Sequence, residues 1–100
     1  MIILGIDPGL ANTGYGIIEF KGNVYSYLGS GVIKSKTNLS LADRLLKLHN
    51  ELSEVLAVYK PESAAIEKTY VNVSSDSSLK LAHARSAAML STKIFGINIA

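Results

Sequence analysis

The chain has 100 residues, of which 48% are apolar and 18% are charged, with a formal net charge of +2 and no cysteine. This composition excludes a disordered chain, and the absence of cysteine excludes disulfides and thiolate metal sites. The length suits one small domain with one core, and no apolar run is long enough for a signal peptide or a membrane span, so we expect a cytoplasmic domain.

The first third of the chain predicts three antiparallel strands separated by turns. The run Ile2–Ile6 is continuously apolar, which indicates a central strand covered on both faces. In the third strand, Gly29 and Gly31 indicate a bulge or bend. The three predicted strands are Ile2–Ile6, Tyr15–Phe20 and Val24–Ile33.

The apolar period then changes to three or four residues, which is typical of a helix. Leucines at this spacing predict a first helix over residues 40–59, with Ser40 as its N-cap. The short apolar run Ser63–Ile66 predicts a fourth strand. A second helix, rich in small residues, is expected over about 79–95, and a fifth strand begins near Ile97.

The first and fourth predicted strands each end in a carboxylate, Asp7 and Glu67. A strand–helix–strand connection makes the fourth strand parallel to one already in the sheet. If that neighbour is the first strand, the two carboxylates lie at the same edge, and their repulsion raises one pKa unless a cation neutralises the pair. Ligation by oxygen alone suits Mg²⁺, with Mn²⁺ as a substitute. Asp7 and Glu67 are therefore the candidate catalytic and metal-binding residues.

Four segments, GIDPG, TGYG, AIEKTY and SLKLAHAR, resemble in order and spacing the RuvC family of Holliday-junction resolvases, the crossover junction endodeoxyribonucleases. The resemblance covers essentially the whole chain. It implies an α/β, RNase H-like mixed sheet: three antiparallel strands, a helix, a parallel strand, a helix and the start of a fifth strand. Family members continue into a final helix with two more metal-binding aspartates, so we expect residues 1–100 to form a single RNase H-like domain that is incomplete at its C-terminal end.

The resemblance also implies a function. It implies a homodimer that binds four-way DNA junctions and, with Mg²⁺, nicks two strands symmetrically in recombination and repair, alongside a branch-migration motor complex. Asp7 and Glu67 match the first two metal-binding carboxylates of the family. Tyr70 matches an aromatic residue that stacks on a base at the junction, and Lys80 and Arg85 match basic positions of the second helix. The candidates for DNA binding are Tyr70, Lys68, Lys80 and Arg85.

Other interpretations of these residues stay open. Asp7 before Pro-Gly is also typical of a turn, and Glu67 of a solvated strand end. A nucleotide-binding, actin-like or RuvC-related domain would use the glycine-rich hairpin to hold phosphate, but it leaves Glu67 unexplained. A non-catalytic remnant would bind junctions without cutting them. With two protein ligands, we expect weak metal binding. We also expect His49 to be solvated, and the other tyrosines to pack on the sheet and helix: Tyr15, Tyr25, Tyr27 and Tyr59.

Overall fold

A computed structural model describes residues 1–68 and 75–100 of the chain. In this part the predicted order of elements is confirmed, although the second helix begins at Ser75 rather than Leu79. The strands are β1 (Ile2–Asp7), β2 (Asn12–Lys21), β3 (Val24–Lys34), β4 (Ser63–Ile66) and β5 (Asn98–Ile99), and the helices are α1 (Leu41–Tyr59) and α2 (Ser75–Ile94). No helix among these residues is long and apolar enough to cross a membrane.

The strands form one sheet in the order β3-β2-β1-β4-β5. β1 pairs antiparallel with β2 and parallel with β4, in a register that places Ile6 beside Ile66. The Glu67 amide donates to the Ile6 carbonyl at 2.9 Å, so the pairing continues past the end of β4. The predicted central position of the first strand, with the fourth strand parallel beside it, is confirmed.

The hydrophobic core lies on one face of the sheet, where alternate strand residues meet both helices. α1 contributes a leucine at every fourth position, whereas α2 contributes alanines, which allow its backbone close to the sheet. The buried core residues are Leu4, Ile6, Ile17, Ile33, Ala64 and Ile66 from the strands and Leu48, Leu52, Leu56, Ala84 and Ala88 from the helices, together with Ile97.

Local capping fixes both ends of α1. The Ser40 side chain accepts the Asp43 amide at 3.1 Å, which satisfies one of the free N–H groups of the first turn. Lys60 takes the left-handed conformation with φ 49°, and its amide donates to the Leu56 carbonyl at 2.9 Å. Pro61 follows and cannot extend the helix. The predicted bounds of this helix are therefore confirmed.

The opposite face of the sheet is open. Gly5, Asp7 and Ala65 are exposed there, and Val32 is 54% exposed. Within residues 1–68 and 75–100, both helices pack on the other face. The expectation that β1 is covered on both sides is therefore wrong for the part of the chain that the structure describes.

β3 carries the irregularity that its glycines predict. Ile17 pairs with Gly29 and Ile18 with Tyr27, so Leu28 is left without a partner and forms a bulge. A Cβ on Gly29 would lie 3.1 Å from Cζ of Tyr59 and closer still to its hydroxyl. Glycine thus lets α1 approach this strand.

Three of the four tyrosines pack on the sheet or the helix, as the sequence predicts. Tyr15 and Tyr59 are half-buried and pack against the core. Tyr25 is 67% exposed but packs on the sheet, since its ring centroid lies 4.6 Å from that of Phe20 on β2. The prediction is wrong for Tyr27, which is 72% exposed. Tyr25 and Tyr27 lie at the outer end of the β2–β3 hairpin, where residues 21–28 are all exposed because neither helix reaches them.

The prediction for His49 is also wrong. Its Nδ1 lies 2.7 Å from Oγ of Ser91 on α2, and the ring is half-buried. The Ser91 hydroxyl donates to the Ala87 carbonyl at 2.7 Å, so Nδ1–H of His49 is the donor to Ser91. This polar contact joins the two helices.

Candidate functional site: a carboxylate pair at the end of two parallel strands

Asp7 and Glu67 lie side by side at the carboxyl ends of β1 and β4. The strand register places Ile6 next to Ile66, and the amide of Glu67 bonds to the carbonyl that precedes Asp7. Both residues are exposed, and their side chains are within hydrogen-bonding contact of each other. Gly14 faces Asp7 across the β1–β2 pair, where a Cβ would lie 3.8 Å from that of Asp7. The open face of the sheet therefore gives solvent access to the pair.

The proximity of the two carboxyl groups shifts the pKa of Glu67 upward. The largest cause is a hydrogen bond to Asp7, which favours a protonated Glu67, followed by the negative charge of Asp7 and then by desolvation. A cation can also hold two such neighbouring carboxyl groups together, because it neutralises their repulsion. The pair thus has the electrostatics of a cation site.

The upward shift predicts a measurable effect of Asp7→Asn. Without the charge of Asp7, the pKa of Glu67 should fall towards its ordinary value in an NMR titration of the Glu67 carboxyl carbon. Because the folded-state pKa of Glu67 is raised, its contribution to stability is present at acidic pH and is lost as the pH rises through that pKa. Glu54→Gln, an exposed change on α1, should leave the titration of Glu67 unaltered. An unchanged pKa in Asp7→Asn would show that the two groups do not interact.

Thr13 fixes the turn that follows Asp7. Its side chain is 1% exposed, and Oγ1 donates to the Gly9 carbonyl at 2.7 Å and accepts the Gly9 amide at 3.3 Å. Gly9 has no room for a side chain, since a Cβ would lie 3.4 Å from the Asn12 carbonyl carbon and closer still to its oxygen. The sequence analysis missed this role, although a threonine four residues after a turn glycine is a recognisable side-chain-to-backbone pattern.

Arg85 is the basic candidate that the structure brings to the carboxylate pair. Its Nε donates to the backbone carbonyl of Glu67 at 3.3 Å. Lys68 follows Glu67 directly and is exposed. Lys80 lies further towards the start of α2, where it pairs with Asp76 at 3.1 Å. Tyr70 lies outside the described residues.

The donor set at this site consists of oxygen atoms. Across residues 1–68 and 75–100, no three His, Asp or Glu side chains are grouped so that they could hold a metal ion together. Among the described residues, the site therefore offers two candidate metal ligands, Asp7 and Glu67. Two carboxylates fit a hydrated Mg²⁺, which keeps several waters and commonly takes only one or two carboxylate ligands from a protein.

Comparison with known proteins gives consistent matches over nearly the whole chain. The family model described as crossover junction endodeoxyribonuclease RuvC matches residues 3–100. The curated protein of that name from Bradyrhizobium sp. is 48% identical over 98 residues, which cover 98% of this chain and 56% of that protein. The corresponding protein of Cupriavidus taiwanensis is 48% identical over 99 residues, which cover 99% of this chain and 55% of that protein. The chain therefore spans a little over half the length of these relatives.

A solved structure of T. thermophilus RuvC in complex with a Holliday junction substrate is similar in fold. The TM-score is 0.91 at 24% sequence identity, and the match covers 99% of this chain and 62% of that chain. This likeness confirms the predicted RNase H-like mixed sheet.

Proposed function

This chain belongs to the RuvC family of crossover junction endodeoxyribonucleases, and on that premise we propose that it acts in resolving Holliday junctions. The proposed reaction is the metal-dependent, symmetric hydrolysis of two phosphodiester bonds during recombination and repair. The observation that carries the proposal is the contact between Asp7 and Glu67 at adjacent strand ends. The proposed domain spans residues 1–100.

In this proposal the two carboxylates hold the metal ion, with Mg²⁺ as the expected species and Mn²⁺ as a substitute. Such an ion, when bound, supplies Lewis-acid stabilisation of a phosphoryl oxygen and lowers the pKa of a bound water. Asp7 and Glu67 hold the negative charge that attracts the ion, and the turn fixed by Thr13 keeps Asp7 in place. Arg85, bonded to the carbonyl of Glu67, orients the end of β4 and presents its positive charge beside the site.

DNA binding is assigned in the proposal to the basic residues near the pair. Lys68, Lys80 and Arg85 would contact phosphates, which set affinity without reading sequence. Tyr70 would stack on a base at the junction, an interaction worth roughly 1–3 kcal/mol. The arrangement of Arg85 next to Glu67 supports the phosphate contacts, and the family match supports the role of Tyr70.

We further propose that the chain works as a homodimer. A groove of about 430 Å³ lies between α1 and α2, and it is largely apolar. Leu46, Leu90 and Ile94 border it and are 55%, 63% and 62% exposed. Apolar side chains grouped in this way are typical of an interface.

Two further parts of the proposal are supported by family membership alone. These are cooperation with a branch-migration motor and a cytoplasmic location.

Junction binding tests the proposed function directly. Fluorescence anisotropy should show that the protein prefers a four-way junction to a linear duplex of the same sequence, and denaturing gels should show paired nicks that require Mg²⁺ or Mn²⁺. Tyr70→Ala should lower the preference for the junction about tenfold, whereas Tyr27→Ala, which removes a 72% exposed tyrosine elsewhere, should not.

Two outcomes would contradict the proposal. Equal affinity for the junction and the duplex would remove the structure-selective function. Calorimetric binding of ATP without any affinity for junctions would favour a nucleotide-binding domain instead.

A further inference from the structure

A pocket of about 390 Å³ lies against the turn that follows β1. The turn contributes Leu10 and Ala11, and the other walls come from the segment between β3 and α1 and from the amino ends of α1 and α2. Its polar lining residues are Thr37, Arg44, Ser77 and Lys80. Two of these four carry a positive charge, and none carries a negative charge.

Arg44 is the unusual member of this lining because it is only 8% exposed. Its Nε donates to Oγ of Ser35 at 3.0 Å, and that hydroxyl donates to the Leu10 carbonyl at 2.6 Å. A guanidinium has five N–H donors, so this bond uses one of them. Neither ion pair found in the described part of the chain involves Arg44. A buried cation therefore lines the pocket with no carboxylate partner among residues 1–68 and 75–100.

Buried charges in proteins are normally paired, so the chemistry of the pocket calls for an anion. The planar guanidinium matches two oxygens of a phosphate at once. Lys80 adds a second positive charge. The ion pair between Lys80 and Asp76 competes only weakly with phosphate binding. The two side chains are 54% and 75% exposed, and ion pairs at the surface add little stability.

The pocket is close to the carboxylate pair, because Leu10 in its lining follows Asp7 closely in the chain. Leu10 is three residues beyond Asp7, so their Cα atoms are at most about 11 Å apart. We propose that Arg44 and Lys80 form a phosphate-binding pocket that holds a DNA backbone phosphate near the one approached by Asp7 and Glu67. The assignment to DNA rests on the proposed function, whereas the phosphate site itself does not.

Titration with inorganic phosphate tests the pocket without any nuclease activity. At constant ionic strength kept with chloride, ¹H–¹⁵N NMR spectra of the protein should show saturable shifts at the amides of Ala11, Thr37 and Ser77. Arg44→Gln should abolish these shifts. Lys93→Gln, which removes an exposed cation at the other end of α2, should leave them unchanged. Shifts that chloride alone reproduces would overturn the proposal.

Two surface variants keep the test informative if Arg44→Gln does not fold. Lys80→Gln should weaken phosphate binding several-fold, and Asp76→Asn, which frees Lys80 from its partner, should strengthen it several-fold. A purely structural role for Arg44 would leave phosphate affinity the same in both variants. That result would overturn the pocket.

The dependence of junction binding on salt tests the assignment to DNA. One lost phosphate contact should lower the slope of log K against log salt by about 1. Lys80→Gln should show this change with a four-way junction, and Lys93→Gln should not. Phosphate binding by a protein that does not bind junctions would refute the assignment to DNA and the proposed function but not the site. Junction binding with an unchanged slope in Lys80→Gln would refute the assignment of this pocket to DNA and the proposed phosphate contact of Lys80, while the proposed resolution of junctions stands.

Discussion

Replacing Asp7 by asparagine should abolish metal-dependent nicking of a four-way junction and leave junction binding intact. Asparagine keeps the size of the side chain and its place in β1, but it removes one of the two negative charges that face each other at the strand ends. Changes outside the direct ligand shell of a metal already cost roughly 10–100-fold. We therefore expect the nicking rate to fall by at least about 100-fold.

Metal binding provides a second readout for this variant. Mn²⁺ should broaden the NMR signal of Gly14, which faces Asp7, and Asp7→Asn should weaken this effect. Glu54→Gln is the matched control because it removes the same charge from an exposed position on α1. Nicking at the rate of the unchanged protein, or equal broadening at Gly14 in both variants, would exclude Asp7 as a metal ligand.

Leu52→Ala should have the largest effect on stability. Leu52 is 0% exposed in the middle of α1, where it packs against the sheet. Removing a buried leucine side chain costs about 2–5 kcal/mol, because apolar contacts are lost and a cavity remains. Since small domains are stable by only about 5–15 kcal/mol, this change should take away a large part of the free energy of unfolding.

Urea denaturation followed by circular dichroism measures this effect. The midpoint should fall clearly in Leu52→Ala, with little change in the slope. Val58→Ala is the control on the same helix, where the side chain is 74% exposed and the change should stay within about 0.5 kcal/mol. Equal midpoints in the two variants would mean that α1 does not pack on the sheet as described.

Elements with strong local signals could be predicted from the sequence. The helix α1 shows this, since the period of its leucines, the Ser40 cap and the proline after Lys60 all point to the same bounds. The sequence predicts a start of α2 that is four residues too late, because the first turn of the helix carries polar residues that do not continue an apolar period. The sequence wrongly predicts that both faces of β1 are covered. The reason is that Gly5 counts as part of an apolar run, although glycine is found on covered and on exposed faces alike.

The site was predictable to a similar degree. Asp7 and Glu67 could be paired because parallel strands end at one edge of the sheet, and the structure brings the two side chains together. Arg44 was missed because its signal is indirect. It occupies the position four residues before Leu48, in register with the buried leucines, where an apolar residue is expected. A charge at a core position is the pattern that could have revealed it.

The unpaired Leu28 has a consequence for the behaviour of the protein in solution. β3 is an edge of the sheet among the described residues and, at 11 residues, offers a long row of free backbone groups to a second chain. This edge also carries exposed apolar side chains, which favour association with another chain: Val24, Tyr25 and Tyr27 are 60%, 67% and 72% exposed. The extra residue bends the strand and interrupts the regular spacing of its backbone hydrogen-bonding groups, so a second copy cannot pair with β3 along its full length. The bulge at Leu28 therefore opposes aggregation through the β3 edge of the sheet.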